Sequence, residues 1–155
     1  MRFRNAILLG CLILALAAKS SSQTKNRSVV LPGSAAHMLE HLCSRSGPPR
    51  FDDTWQPLEA DVRSMESRLS RISQLRSQVG GVGIGIKNPD RYYRQYVGVL
   101  VGKHKFIFIN AFCNERPPPD WRRRPVDKCD GGCDWGVVYD TISGEFSDLQ
   151  INGVA

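Results

Sequence analysis

The sequence predicts an α+β domain in which one amphipathic helix packs across a four-stranded antiparallel sheet. Three observations lead to this fold class. Two runs rich in β-branched and aromatic residues, 91–101 and 105–113, flank a short glycine-containing break, as in a β-hairpin. Residues 55–77 repeat apolar side chains at helical spacing. Two further strand-like runs, 135–140 and 145–152, surround a turn and complete the sheet.

The first 17 residues have the features of a secretory signal peptide. A basic start precedes an apolar run that is too short to span a bilayer, and Ala15-Leu-Ala17 fits a small-residue cleavage site. Leu8-Leu-Gly-Cys11 resembles a lipoprotein box, although almost no apolar run precedes it. We expect a secreted or periplasmic protein with no transmembrane segment after processing. Residues 18–33 are predicted to form a disordered leader, and residues 34–155 a single disulfide-stapled domain.

Charge and cysteine content narrow the classes of partner. Removing the signal peptide removes Arg2 and Arg4, so the formal charge falls from +6 to 6 − 2 = +4. This charge is too small to indicate a nucleic-acid-binding protein, but it allows attraction to anionic surfaces. An even set of cysteines remains after export, which favours disulfides over metal binding. These cysteines are Cys43, Cys113, Cys129 and Cys133.

Two disulfide pairings are compatible with the predicted elements. Cys113 ends one strand and Cys133 opens the next, so these two residues can lie side by side while Cys43 ties the first helix to Cys129. The rival pairing forms a local Cys129–Cys133 loop and joins Cys43 to Cys113. Sequence alone leaves both pairings open.

A short helix is predicted at residues 35–44, and it contains an H-x-x-E-H stretch. His37, Glu40 and His41 match the inverted zincin motif, in which two histidines share a metal and the glutamate activates a water molecule. The helix is short, and no third ligand or cleft accompanies it. We therefore expect solvent-exposed histidines, and we assign no metal, no cofactor and no catalytic residue.

The predicted main helix and the central hairpin account for the core. One face of residues 55–77 is apolar, so it is expected to cover the sheet. Neither strand of the hairpin alternates cleanly between apolar and polar residues, which predicts that both faces of the sheet are covered. The glycine-rich residues 80–86 read as a short edge strand or a connector. The order of helix and strands is similar to that of cystatin-like folds.

Several short motifs resemble those of a group of small exported bacterial proteins to which no activity is assigned. They are Tyr93-Arg-Gln-Tyr96, Asn110-Ala-Phe-Cys113, Trp121, Asp130-Gly-Gly132, Trp135-Gly-Val-x-Tyr139 and Asn152-Gly153. The resemblance covers roughly residues 58–155. It implies one exported domain, and it implies no reaction, cofactor or catalytic residue.

The segment after the central hairpin carries the predicted binding residues. Trp121, Arg122, Arg123 and Arg124 follow three prolines, and arginine suits carboxylate or phosphate partners while tryptophan offers an apolar anchor. The alternative is a solvated basic loop with Trp121 folded back on the sheet. The leading hypothesis is an exported non-enzymatic binding module, such as an inhibitor of a secreted or wall-directed enzyme. Its partner would be a protein or an anionic envelope component. The alternatives are a small metal-dependent hydrolase using the H-x-x-E-H stretch and a structural envelope protein.

Overall fold

A mixed sheet of six strands organises the part of the chain that the computed structural model describes: residues 27–77, 83–113, 116–129 and 131–153. The predicted signal peptide, residues 18–26 of the predicted leader, the start of the glycine-rich segment and Asp130 lie outside these residues. The rest of the predicted disordered leader is ordered, since it contains β1. The strands are β1 (Ser28–Val30), β2 (Asp53–Trp55), β3 (Tyr93–Val101), β4 (His104–Phe112), β5 (Trp135–Asp140) and β6 (Phe146–Ile151). The helices are α1 (Ser34–Leu39), α2 (Glu59–Glu66) and two 3₁₀ helices, Leu69–Gln74 and Pro89–Arg91.

The prediction of a four-stranded antiparallel sheet is wrong, because two short strands add to the outer edge of β3. The strand order is β1-β3-β4-β5-β6, and β2 also pairs with β3. β1 runs parallel to β3 between Arg94 and Tyr96, and β2 runs antiparallel to it between Gly98 and Leu100. A three-residue strand is too short to show a period of two, so neither strand was predicted. Because the sheet is mixed and has six strands, the predicted similarity to cystatin-like folds is also wrong.

The prediction of one long helix over residues 55–77 is also wrong. Trp55 belongs to β2, α2 covers only Glu59–Glu66, and the 3₁₀ helix Leu69–Gln74 follows. A 3₁₀ helix places residues three apart on one side, so the apolar spacing fits both kinds of helix. Ser67 marks the change, since its hydroxyl donates to the carbonyl of Ser64 at 2.7 Å and competes with regular helical bonding.

Both faces of the sheet are covered, as the strand pattern predicted. One face packs against the α2 segment through Met65, Leu69 and Ile72, all of which are buried. The other face packs against α1, whose Ala36 and Leu39 are fully buried. The short helix is therefore present, although it ends at Leu39 and not at residue 44.

The hairpins and the cysteine pairs follow the sequence more closely. β3 and β4 pair antiparallel, and so do β5 and β6, as predicted. Cys43 lies beside Cys129 with 5.1 Å between Cα atoms, and Cys113 lies beside Cys133 at 5.9 Å. These separations suit disulfides, and they correspond to the first of the two pairings. Among the described residues, no helix has the length and apolarity needed to cross a bilayer.

Asp140 closes the turn between β5 and β6. Its carboxylate contacts His104 Nε2 at 2.8 Å and accepts the amides of Ile142 at 2.8 Å and Ser143 at 3.3 Å. Burial alone would raise the pKa of Asp140, but the hydrogen bond from His104 and those from the turn outweigh it and lower the pKa to about 2. The ionised carboxylate therefore stabilises the folded state.

Replacing Asp140 by Asn is expected to reduce the free energy of unfolding at pH 7 by about 1–2 kcal/mol. Because the folded pKa lies below the ordinary value of 3.8, the stabilisation is present above pH 4 and is lost as the pH falls towards 2. Urea unfolding at several pH values measures the difference. Asp148→Asn is the control. Within the described residues, the carboxylate of Asp148 accepts a hydrogen bond from the neighbouring Ser147 and contacts no distant element. A difference between wild type and Asp140→Asn that persists unchanged at pH 2 would contradict this account.

Candidate functional site

The connection between β4 and β5 is the most basic part of the described chain. We name residues 116–129 the arginine loop. It contains Arg116, Arg122, Arg123, Arg124 and Lys128 against Asp120 and Asp127, a formal charge of 5 − 2 = +3. Half of the chain's formal charge of +6 therefore lies in this one loop. An unfolded loop would not hold these charges in one arrangement. The contacts that fix the loop therefore decide whether it can form a binding site.

Trp121 anchors the arginine loop to the sheet. The side chain is only 5% exposed and clusters with Phe112 and Val126. Its ring meets Tyr93 edge-on, with 5.2 Å between centroids, and Phe112 edge-on at 6.0 Å. The structure thus places Trp121 where the alternative interpretation expected it, folded back on the sheet. Its ring is not available as an apolar contact for a partner.

Two buried amide side chains hold the backbone of the loop. Gln95 of β3 and Asn110 of β4 are register partners, and both are fully buried. Gln95 Nε2 donates to the carbonyls of Trp121 and Arg124, and its Oε1 accepts the amide of Val126 at 2.8 Å. Asn110 Nδ2 donates to Gln95 Oε1 and to the carbonyl of Val126, both at 2.9 Å. A buried amide needs such partners, so the loop and the sheet satisfy each other.

Arg45 extends this polar network to the end of the chain. Its guanidinium donates to Asn110 Oδ1 and to Asn152 Oδ1. Burial lowers the pKa of Arg45, an effect that the carboxylates of Asp134 and Asp127 oppose. Asn152 Nδ2 in turn donates to the carbonyl of Lys128 at 2.7 Å. The network therefore holds the arginine loop through Gln95 and Asn110 of the sheet and through Asn152 after β6.

Both disulfides tie the same region. The Cys43–Cys129 bond fixes the last residue of the arginine loop to the segment after α1, and the Cys113–Cys133 bond joins the strands on either side of it. Asp127 adds a hydrogen bond by accepting the amide of Cys43 at 3.3 Å. Fixing a loop in this way reduces the conformational entropy that it would lose on binding.

The three arginines of the triplet are exposed on the outside of this fixed backbone. The guanidinium of Arg122 lies 4.3 Å from the centre of the Trp121 ring, a cation–π contact. Arg124 Nε lies 4.0 Å from Asp120 Oδ2, the limit of a weak surface ion pair. Of the four residues predicted to bind a partner, these three therefore reach solvent, and they are consecutive in the chain.

The H-x-x-E-H stretch does not form a compact ligand set. His37 lies on α1, whereas Glu40 and His41 follow the end of that helix. His37 Nδ1 is 3.3 Å from Glu40 Oε1, and both side chains are exposed. In the described ranges, the only three possible metal ligands with donor atoms within 4.8 Å of one another belong elsewhere. They are Cys113, Cys133 and Asp134, and the two sulfurs are paired with each other.

A cleft of about 360 Å³ lies between β1 and α2. Glu66 and Tyr96 line it, and the Tyr96 hydroxyl donates to Glu66 Oε1 at 2.7 Å. Burial raises the pKa of Tyr96, so this hydroxyl keeps its proton. The fully buried Arg94 donates to Tyr96 and to three backbone carbonyls before β3. The Tyr96–Glu66 hydrogen bond attaches α2 to the sheet, and Arg94 holds the turn before β3. These contacts account for two of the polar residues in the Tyr93–Tyr96 motif.

Sequence reasoning missed the residues that position the loop. The sequence patterns place Gln95 and Asn110 on strand faces and Asn152 at the end of the last predicted strand, and they assign no role to Arg45. The available signal was the presence of one amide in each strand of the central hairpin, because a buried amide side chain must find partners. Which partners they find depends on the fold.

No protein-family model, no curated protein and no solved structure matches this chain. The resemblance to small exported bacterial proteins therefore stays a prediction, and the function has to be argued from the geometry alone.

Replacing Gln95 by Leu is expected to reduce the free energy of unfolding by about 3 kcal/mol, because two loop carbonyls and one loop amide lose their buried partner. Gln56→Leu is the matched control, since Gln56 is exposed. Denaturant unfolding of both variants measures the effect. Equal stability of the Gln95→Leu and Gln56→Leu proteins would show that the buried amide does not hold the loop.

Proposed function

We propose that this chain is an exported, non-enzymatic binding module that captures an anionic partner with Arg122, Arg123 and Arg124. One observation carries the proposal: Gln95, buried in the centre of the sheet, holds the carbonyls of Trp121 and Arg124. The backbone is thereby fixed at both ends of the triplet, while the three side chains face solvent.

A loop fixed in this way suits recognition. Surface loops on a rigid scaffold are common binding sites, and a preformed loop avoids part of the entropy lost on association. Arginine presents a planar fork of donors that matches carboxylate and phosphate oxygens. The formal +3 charge of the arginine loop favours such a partner further. We therefore expect the partner to offer several carboxylates or phosphates on a surface.

An exported location fits this role. The first 17 residues read as a signal peptide, and disulfides persist in oxidising environments. A secreted or periplasmic module would meet exported proteins and anionic envelope components. An inhibitor of a secreted or wall-directed enzyme is one form that this function would take.

The alternatives receive less support from the described residues. A hydrolase using His37 and Glu40 would need further ligands near them, whereas these two side chains lie on an exposed surface. A purely structural envelope protein would gain nothing from three adjacent solvent-facing arginines on a backbone held by buried amides.

Replacing Arg122, Arg123 and Arg124 together by Gln is expected to weaken binding to an anionic probe about thirtyfold. Three exposed ion pairs of ~0.7 kcal/mol each amount to about 2 kcal/mol, which corresponds to this factor. Polyglutamate tests recognition of carboxylates, and inorganic polyphosphate tests recognition of phosphates. Isothermal titration calorimetry at 50 and 300 mM salt measures both, and the affinity of the wild type is expected to fall with salt.

The matched control removes the same charge elsewhere. Arg50, Lys87 and Lys103 are exposed and lie outside the arginine loop, so replacing all three by Gln removes three positive charges without touching the site. This control is expected to bind within about threefold of the wild type. If the control loses as much affinity as the triplet variant, or if neither probe binds, the proposed function is wrong. A variant with all three arginines replaced by Lys should have an affinity between those of the wild type and the Gln variant, because lysine keeps the charge without the fork of donors.

A further inference from the structure

The Cys113–Cys133 bond lies against a buried carboxyl group. Asp134 is only 2% exposed, yet its Oδ1 lies 3.4 Å from Cys133 Sγ and accepts the amide of Cys113 at 3.1 Å. Both cysteines are partly exposed. The two cysteines therefore reach solvent in part, whereas the carboxyl group of Asp134 is withdrawn from it.

Three further titratable groups face Asp134. Lys128 Nζ lies 3.9 Å from Asp134 Oδ2 and donates to the carbonyl of Cys113 at 3.4 Å, and Arg45 and Tyr92 also interact with the carboxyl charge. Burial raises the pKa of Asp134, although the Cys113 amide, Lys128 and Arg45 oppose the shift. Asp134 therefore binds a proton at a higher pH than an exposed aspartate does.

The second disulfide provides a comparison within the same molecule. Cys43 Sγ lies 3.4 Å from Asp127 Oδ1, a contact of the same length. Cys43, Cys129 and Asp127 are all exposed, however, so water and buffer can supply a proton to a sulfur that leaves this bond as a thiolate. Only the Cys113–Cys133 bond combines a sulfur contact with a carboxyl group withdrawn from solvent, among the residues that the structure describes.

We propose that the Cys113–Cys133 bond undergoes thiol–disulfide exchange with a small thiol, and that Asp134 is the acid that protonates the departing Cys133 sulfur. A thiolate attacks Cys113 Sγ, a mixed disulfide forms there, and the bond to Cys133 breaks. The Cys133 thiolate then takes the proton of Asp134, which leaves a thiol and a carboxylate. A second thiolate attacks the mixed disulfide and releases Cys113 as a thiolate, so the added thiols are oxidised and the protein bond is reduced.

The reverse direction uses the same groups. With Cys113 held as a mixed disulfide, the Asp134 carboxylate accepts the proton of Cys133, and the resulting thiolate attacks Cys113 Sγ and expels the small thiol. This exchange does not depend on what the arginine loop binds, so it can fail or succeed separately from the proposed function.

Reaction of the oxidised protein with glutathione tests the proposal. Acid quenching, alkylation and peptide mass spectrometry follow each disulfide at pH values from 5 to 8, and rate constants are corrected for the thiolate fraction of glutathione. For Cys113–Cys133 the corrected constant is expected to rise as the pH falls, because more Asp134 carries a proton. Asp134→Asn should remove this dependence and slow the step about tenfold. Cys43–Cys129 in the same samples, and Asp90→Asn at an exposed site, should keep the wild-type behaviour.

Three results would overturn the proposal. A corrected rate constant in the wild type that does not change with pH excludes Asp134 as the acid, even if the Asp134→Asn protein fails to fold. A folded Asp134→Asn protein that reacts within twofold of the wild-type rate would also exclude Asp134 as the acid. The first glutathione adduct is expected on Cys113, and an adduct on Cys133 would contradict the assignment of the leaving sulfur.

Discussion

The hydrogen-bonded pair of Gln95 and Asn110 is the contact on which the rest of the structure depends. Two amide side chains lie on adjacent strands of the sheet among mostly apolar buried residues, and both are withdrawn from water. Leaving such a group without a partner costs about 1–3 kcal/mol. The backbone of the arginine loop provides the partners, so the strands determine where the loop lies. A loop with four prolines and little regular structure is fixed in this way.

Other contacts reach the same region from distant parts of the chain. Trp121 fills the apolar space beside Phe112, Arg45 connects Asn110 to Asn152, and two disulfides close the ends. Separate elements thus contact this one loop. The sheet face that α2 covers packs mainly through apolar side chains. The region held by this network carries the exposed arginines, which is the basis for the proposed binding function. The same region includes the disulfide beside Asp134.

Sequence patterns predicted what depends on local spacing. The two hairpins and the coverage of both sheet faces follow from runs of strand-forming residues. Strand ends offered the observed cysteine pairing as one of two that the sequence left open. β1 and β2 were missed because three residues show no period, and the long helix was overpredicted because spacings of three suit 3₁₀ and α-helix alike. The role of Gln95 was out of reach, since its partners in the arginine loop lie 26 or more residues away along a segment without a pattern.

Hydrogen exchange of the Val126 amide in the folded wild-type protein tests the central claim most directly. This amide lies in an irregular loop, but it donates to the buried Gln95 side chain at 2.8 Å. NMR-detected exchange at neutral pH is expected to show protection comparable to that of the β4 amides, because only a larger opening of the structure exposes it. Exchange at the rate of an unstructured peptide would show that the buried amides do not hold the loop, and the account of this protein would be wrong.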